Sequence, residues 1–329
     1  MHYAIRIEAP GGPEVLHEHS APLAPPGPHE VQITQSAVGL DFIDCYHRSG
    51  LYPLGSMPHG IGLEAAGVIT ACGAAVDPTQ LGVGERVVYL SRPPGAYASA
   101  RNVLAEHCVL LPRGVSEEVA AASMLKGLTA EYLAHRVVPL EPGMRALVHA
   151  AAGGTGSLLC QWLTARGVEV IGTVGSESKV DVARGHGCAE VLVDGDGERP
   201  LPERVRTTGS GGGVHVVYDS IGLRTFQASL ACLARRGMLV SFGNASGPPA
   251  PLDVLSLSTN GSLFLTRPTL FDYVATRAEL VAASERLFDA IERGVLKVPI
   301  HQRWPLRAAR EAHRALEARE TTGASVLIP

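Results

Sequence analysis

The sequence predicts an α/β protein of two domains, the second a doubly wound parallel sheet. Three observations carry this. After residue 116, apolar strand-like runs alternate with helical stretches at the spacing of βαβ units. One of those runs, 145–152, passes into the glycine turn Gly153-Gly154-Thr155-Gly156 and then at once into an amphipathic segment, 157–166. Ahead of all this, residues 1 to about 123 hold short β-like runs broken by Gly and Pro, the texture of an irregular antiparallel barrel.

The first part contributes strands at 3–7, 30–37, 67–72, 86–90 and 107–111. The proline-rich stretch APLAPPGPHE, 21–30, resists regular structure. A short helix over 41–47 precedes a loop, 48–58, that carries Tyr52, with Tyr46 just before it. Ser116-Glu117-Glu118 caps and charges a helix start, with SEEVAAASML behind it, and a second helical stretch covers 129–136. Further strands follow at 168–173, 190–193, 213–219, 237–242 and 262–266, and helices at 179–186, 202–207 and 225–235. The tail has two amphipathic helices, 277–293 and 307–319, with strand-like VLKVPI and ASVLIP between and after them. These two strands lack a hairpin partner of their own and are expected to return to the first domain. The boundaries are therefore 1–123 with 267–329 for a discontinuous first domain, and 124–266 for an inserted nucleotide-binding domain.

Composition narrows the function. The chain has 329 residues, 46% apolar and 18% charged, which supports buried cores. A net charge of −4 gives no reason to expect nucleic acid or an anionic membrane as main partner. The six cysteines, Cys45, Cys72, Cys108, Cys160, Cys188 and Cys232, are scattered and form no C-x-x-C pair. The start MHYAIRIEAP lacks the long apolar core of a secretion signal, so a cytoplasmic protein with reduced thiols is expected. No run reaches the roughly 18 apolar residues of a membrane span.

Strand, tight turn and helix is the context in which a glycine motif holds a dinucleotide. Here Gly153 lets the backbone approach a pyrophosphate, and Gly156 lets the helix pack closely on the strand. The helix's first free N–H groups then face the phosphate. An acid at the end of the second strand would bind the ribose hydroxyls of NAD. This strand ends instead in Thr173-Val174-Gly175-Ser176, which leaves room for a 2′-phosphate, and Lys179 follows one turn later. NADPH is favoured over NADH, with Glu177 pulling the other way.

No metal is expected. In GIGLEAAG the one zinc-ligand type is Glu64, preceded by Leu63 rather than a histidine, and Cys45 has no evident partner at ligand spacing. A Ser-His-Asp triad has no G-x-S-x-G elbow to stand on.

Several further motifs together are more specific than any one. They are GGPEVL (11–16), DFIDCYHRSGLYP (41–53), GLEAAGVI (62–69), MLKGLTA (124–130), HAAAGGTG (149–156), VVYDSIG (216–222), VSFGNASG (240–247), LTRP (265–268) and ARETTGASVLIP (318–329). On them the chain resembles, nearly end to end, the zinc-free NADPH:quinone oxidoreductases, the zeta-crystallin-like branch of the medium-chain dehydrogenase/reductase superfamily. The resemblance implies a GroES-like barrel domain, a Rossmann domain and NADPH in the cleft. It implies that Tyr46 and Tyr52 lie near nicotinamide and quinone, and that Lys126 and Thr129 line the cleft. It places the pyrophosphate on Gly153, Gly154, Thr155 and Gly156, and the 2′-phosphate on Gly175, Ser176 and Lys179. It adds Ser220, Phe242, Gly243, Asn244 and Ser246 from two loops, and Phe264, Thr266 and Arg319 as further cofactor contacts. It also implies a homodimer joined through the edge strand 262–266.

Two departures stand out. The family usually has Asn where this chain has Asp41. That carboxylate would alter hydrogen bonding at the catalytic centre and repel an anionic product, unless burial keeps it neutral or it turns toward an Arg such as Arg48. The family often places a Tyr near the 2′-phosphate where this chain has Asp194; as a plain reading of the residue, Asp194 belongs to a surface turn. The chemistry expected is hydride transfer from nicotinamide to a quinone, with Tyr46, Tyr52 and Asp41 as catalytic candidates. A reductase of enone or enal double bonds shares the same machinery. A non-catalytic NADPH-binding protein, crystallin-like or RNA-binding, is the reading from another class.

Overall fold

Strand Glu30–Leu40 is the member on which the first unit is built. Its early residues alternate between buried and exposed, and its last four are all buried. One edge carries strand Glu64–Cys72, antiparallel. The other edge is shared: residues 30–34 pair with Ala100–Leu104, and 38–40 with the C-terminal strand Ala324–Ile328. Arg86–Leu90 and Cys108–Leu110 extend the sheet beyond Glu64–Cys72, and Ile300–Pro305 adds a parallel strand to Ala324–Ile328. A second small sheet joins His17–Ala21, His2–Ile7 and His59–Gly60. Buried Ile5, Ile33, Val38, Ile61, Tyr89 and Tyr97 fill the space they enclose. Gln35 and Tyr89 bond to each other inside this core.

The computed structural model describes residues 2–195 and 199–329. They divide into one unit of the residues up to Leu128 with Val274–Pro329, and a second of Thr129–Tyr273. The boundary falls inside the helix Glu117–Tyr132. The tail thus belongs with the first unit, through Ala324–Ile328.

The second unit is a parallel sheet of six strands among the described residues. Across the sheet the order is Glu190–Val193, Glu169–Val174, Arg145–Val148, Val214–Asp219, Leu233–Ser241 and Phe264–Thr266. Numbered along the unit this is 3-2-1-4-5-6, the doubly wound dinucleotide order. Its switch point lies between Arg145–Val148 and Val214–Asp219. Leu147, Ile171, Val217 and Leu239 bury one face of the sheet against Phe226 and Leu230 of helix Phe226–Cys232. Strands buried on both faces read as near-continuous apolar runs, as Arg145–Val148 and Glu169–Val174 do, while the edge strands Glu190–Val193 and Phe264–Thr266 are half-buried to exposed.

Several expected elements differ. The nucleotide helix begins at Gly154 rather than Ser157, because two of the turn's glycines already lie in its first turn. The helix expected over 225–235 is Phe226–Cys232, and residues from Leu233 onward join the fifth strand. The two helical stretches around residue 127 are one helix, Glu117–Tyr132, running into a wider π-turn at Leu133–Val137. VLKVPI is not the strand. Gly294, at φ 71°, turns the chain, and pairing begins at Ile300, after Pro299, which has no N–H to give a ladder.

Candidate active site

The crevice at the switch point is built by the turn after Arg145–Val148. Helix Gly154–Ala165 starts there with Gly153 at its N-cap. Its unpaired first-turn N–H groups and dipole favour a negative group. A Cβ on Gly156 would collide with the carbonyl oxygen of Ala150 and lie 3.2 Å from Ala151 Cα, so only glycine permits this helix-to-strand approach. Strand Glu169–Val174 ends without an acid, and nothing lies within 4 Å of where a Gly175 Cβ would stand. Ser176 and Lys179, both half-buried, flank the short turn that follows. A glycine cradle, a helix N-terminus and a second strand that ends without an acid together fit a phosphorylated dinucleotide, although Glu177 stands in the turn that follows.

Two loops knit beside this turn. Asp219 Oδ1 accepts the N–H groups of Ile221, at 2.8 Å, and Gly222, at 3.0 Å. Its backbone carbonyl accepts those of Phe242 and Gly243. A Cβ on Gly243 would run into the backbone of Ser220. Ser246 Oγ donates to the carbonyl of Ile221 at 2.8 Å. Ser220, Phe242, Gly243, Asn244 and Ser246 therefore share one loop pair. Phe264 and Thr266 sit on the edge strand beyond it. Thr129 is buried at the start of this unit, and Arg319 is exposed at φ 60° in the first.

The first unit holds a buried charged centre. Asp41 is the N-cap of helix Phe42–Ser49, and its backbone N–H donates to Asp44 Oδ2 at 3.0 Å. Lys126 Nζ lies 2.7 Å from Asp41 Oδ1 and 3.4 Å from Glu64 Oε1, all three side chains buried. The other Glu64 oxygen accepts the N–H of Leu125. Arg48 is not the partner of Asp41. Its guanidinium is engaged by Glu317 at 2.7 Å, by His313 and by the carbonyl of Gly11. Lys126 reaches Asp41 instead.

Three acids share one cation here, and burial decides which of them keep a proton. Burial, and then the charge of Asp41, hold the Glu64 carboxyl well above the usual carboxylate range. The same two causes raise Asp44 to about 8. Burial alone would lower Lys126, but the facing carboxyls of Asp41 and Glu64 hold it above its ordinary value. The shorter contact identifies the ion pair as Lys126 with Asp41. Asp44 Oδ2 also accepts from the Tyr97 hydroxyl at 3.0 Å, which in turn meets His313 Nε2 at 3.0 Å. Arg48 donates to Nδ1 of that ring, so the neutral imidazole carries its proton on Nε2. Burial, aided by Arg48, lowers His313 to about 3.

Tyr46 and Tyr52 come together as an edge-on pair, ring centres 5.1 Å apart at 65°. The Tyr52 N–H donates to the Tyr46 carbonyl at 3.0 Å, which folds the loop back onto the helix. His47 packs against Tyr52 at 6.1 Å and is lowered to about 4, chiefly by burial and then by Arg92 and His59.

Sequence reasoning weighed Glu64 only as a metal ligand and passed over Asp44, Tyr97 and His313. Asp41 and Asp44 stand in the motif DFIDCYHRSGLYP and Glu64 in GLEAAGVI, but nothing in the sequence sets these three apart from the other acids of the first part. Among the described residues no group of three or more His, Cys, Asp or Glu side chains could hold a metal ion.

Comparison with known proteins accords with this geometry. Residues 27–142 match the alcohol dehydrogenase GroES-like domain, and 154–288 match the zinc-binding dehydrogenase family. The chain is 48% identical over 330 residues to a quinone oxidoreductase of Salmonella typhimurium, covering 99% of this chain and 100% of that one. It is 41% identical to a 2-haloacrylate reductase of Burkholderia, covering 100% of this chain and 99% of that one. Among solved structures, the Escherichia coli quinone oxidoreductase complexed with NADPH superposes with a TM-score of 0.95 at 44% identity, covering 99% of this chain and 100% of that one.

Proposed function

The chain belongs to the quinone oxidoreductases of the medium-chain dehydrogenase/reductase superfamily, and from that premise we propose that it reduces quinones with NADPH and without a metal. The observation that carries the proposal is the switch-point crevice, where a glycine-lined helix N-terminus stands beside a second strand that ends without an acid. Once bound there, the cofactor supplies a hydride from its nicotinamide. The protein's task is to hold and polarise. Gly153, Gly154, Thr155 and Gly156 receive the pyrophosphate, and Gly175, Ser176 and Lys179 receive the 2′-phosphate. Ser220, Phe242, Gly243, Asn244, Ser246, Phe264, Thr266, Thr129 and Arg319 complete the cofactor contacts.

Tyr46 and Tyr52 donate hydrogen bonds to the acceptor oxygen, where negative charge builds up. Lys126, at 2.7 Å, answers the charge of Asp41. The carboxylate that replaces the family's usual Asn therefore does not repel an anionic product.

The 41% identity to 2-haloacrylate reductase supports a second reading, reduction of an activated carbon–carbon double bond. One experiment separates the two. Purified protein with NADPH is offered a panel of quinones and enones, and loss of NADPH absorbance is followed. Turnover on quinones alone supports the first reading, and turnover on enones alone the second. Tight NADPH binding with no oxidation across the panel supports the non-catalytic binder.

We place the protein in the cytoplasm as a homodimer. Six free cysteines support the compartment. No helix among the described residues is long and apolar enough to cross a membrane. The dimer reading rests on edge strand Phe264–Thr266, where Phe264 is 55% and Leu265 38% exposed.

A further inference from the structure

Ala150, the residue that turns strand Arg145–Val148 into the glycine turn, has φ 53°. That is the left-handed region, which a residue with a Cβ rarely adopts and which persists only when its surroundings hold it. Its neighbour His149 is buried, between two hydroxyls. Nδ1 lies 2.9 Å from Thr173 Oγ1, and Nε2 lies 2.9 Å from Ser229 Oγ. Ser229 donates to Asp219 Oδ2 at 2.8 Å, so its one proton is spent. The ring must therefore give Nε2–H to Ser229 and accept the Thr173 hydroxyl at Nδ1. Burial favours the neutral imidazole this requires. Around the bend, Ala151 N–H donates to the Thr173 carbonyl at 3.0 Å, and Gly153 N–H donates to the Ala150 carbonyl at 2.9 Å.

The chain Thr173–His149–Ser229–Asp219 thus runs in one direction across the carboxyl ends of the second, first and fourth strands. Asp219, at its end, also anchors the loop of Ile221 and Gly222. We propose that His149 is a positioning residue for the dinucleotide: locked in one tautomer between Thr173 and Ser229, it pins the left-handed bend at Ala150 and so aims the glycine turn at the pyrophosphate. The inference rests on the reading that this turn receives the cofactor. It adds three residues, His149, Thr173 and Ser229, that act through the turn.

The test uses Ser229→Ala and Thr173→Val, which remove one hydrogen bond each from the ring, and His149→Gln. NADPH and NADH binding to the full-length protein is measured by titration calorimetry, and folding by thermal unfolding. Ser229→Ala and Thr173→Val are expected to raise both dissociation constants by about tenfold, the pyrophosphate being common to the two cofactors. Turnover at saturating NADPH stays near that of the unmodified protein. Adding Ala150→Gly to Ser229→Ala recovers affinity, because glycine adopts the bend without being pinned. Unchanged dissociation constants beside a lowered melting temperature would overturn the inference, as would the absence of recovery with Ala150→Gly. Failure of the underlying reading looks different: a Gly156→Val protein would bind NADPH as tightly as the unmodified one.

Discussion

Lys126 Nζ stands 2.7 Å from Asp41 Oδ1 in a buried centre that also holds Glu64 and Asp44. A buried ion pair is weak evidence of net stability, but losing one partner leaves an uncompensated charge. Lys126→Met is therefore expected to cost about 3–5 kcal/mol. Asp41→Asn is expected to cost far less, because Glu64 already faces the ammonium and no longer has the Asp41 charge holding its proton on. The double variant recovers much of the loss, which a double-mutant cycle in urea reads as coupling. A Lys126→Met protein as stable as the unmodified one would remove this pair from the account.

The same centre makes stability depend on pH. Asp44 titrates at about 8 in the folded chain against 3.8 as a free side chain. Between those values the folded state binds more protons than the unfolded state, so this group's stabilisation is full below pH 3.8 and is lost as pH rises through about 8. His313 works in the opposite sense. Its folded value of about 3 lies below the ordinary 6.5, so its part is present above pH 6.5 and lost as pH falls toward 3. Asn at position 44 still accepts from Asp41 N–H and Tyr97 but cannot titrate. Asp44→Asn should flatten the alkaline limb of a denaturant-midpoint profile, and His313→Gln the acid limb. Parallel profiles for Asp44→Asn and the unmodified protein would contradict the assignment.

If the 2′-phosphate lies after the second strand, as proposed, cofactor preference turns on charge after the second and third strands. Asp194 N–H donates to the Val174 carbonyl at 2.7 Å, and the Asp194 carboxylate lies 4.0 Å from the Arg224 guanidinium. An acid at this place opposes a 2′-phosphate unless it is answered, and Arg224 answers it. Lys179→Ala should raise the dissociation constant for NADPH about tenfold and leave NADH unchanged, the loss of one charge-assisted contact. Arg224→Ala should act in the same direction by exposing the phosphate to Asp194. Competitive displacement of each cofactor measures both, and equal effects on NADH and NADPH would rule out a 2′-phosphate role.

What the sequence made legible was what is local. Strand, glycine turn and helix are contiguous in the chain, so the nucleotide-binding unit could be read from spacing. The barrel was less legible. His17–Ala21 has the sequence HEHSA, with no apolar alternation, and Ala100–Leu104 is half polar, so neither announces a strand. Gly127 made one helix look like two. It is there for packing, since a Cβ would lie 2.5 Å from Leu287 Cδ1. The partner of Asp41 was out of reach because contact with Lys126 is made by folding across a distant stretch of chain, while Arg48, near in sequence, is turned to Glu317 and His313. His149 was hidden in plain view, inside the motif HAAAGGTG. Its partners Thr173 and Ser229 come from two other elements.

The tyrosine pair gives the most direct test of the chemistry. Tyr46 and Tyr52 meet edge to face, and the loop hydrogen bond from Tyr52 N–H to the Tyr46 carbonyl fixes their spacing through the backbone. Replacing a hydroxyl with hydrogen therefore keeps the ring pair and removes a hydroxyl able to donate. If that donor serves the acceptor oxygen as charge develops, its loss falls on turnover more than on binding. Tyr52→Phe should lower kcat on a quinone by about 10–100-fold, the order seen when one oxyanion donor is removed. The dissociation constant for NADPH should stay within about twofold, since the ring and its contact with Tyr46 remain. Tyr46→Phe separates the two hydroxyls: a similar fall marks a shared role, and a small one leaves the donation to Tyr52 alone. Stopped-flow NADPH oxidation under saturating quinone measures the step, and unchanged kcat in both variants would take the tyrosines out of the chemistry.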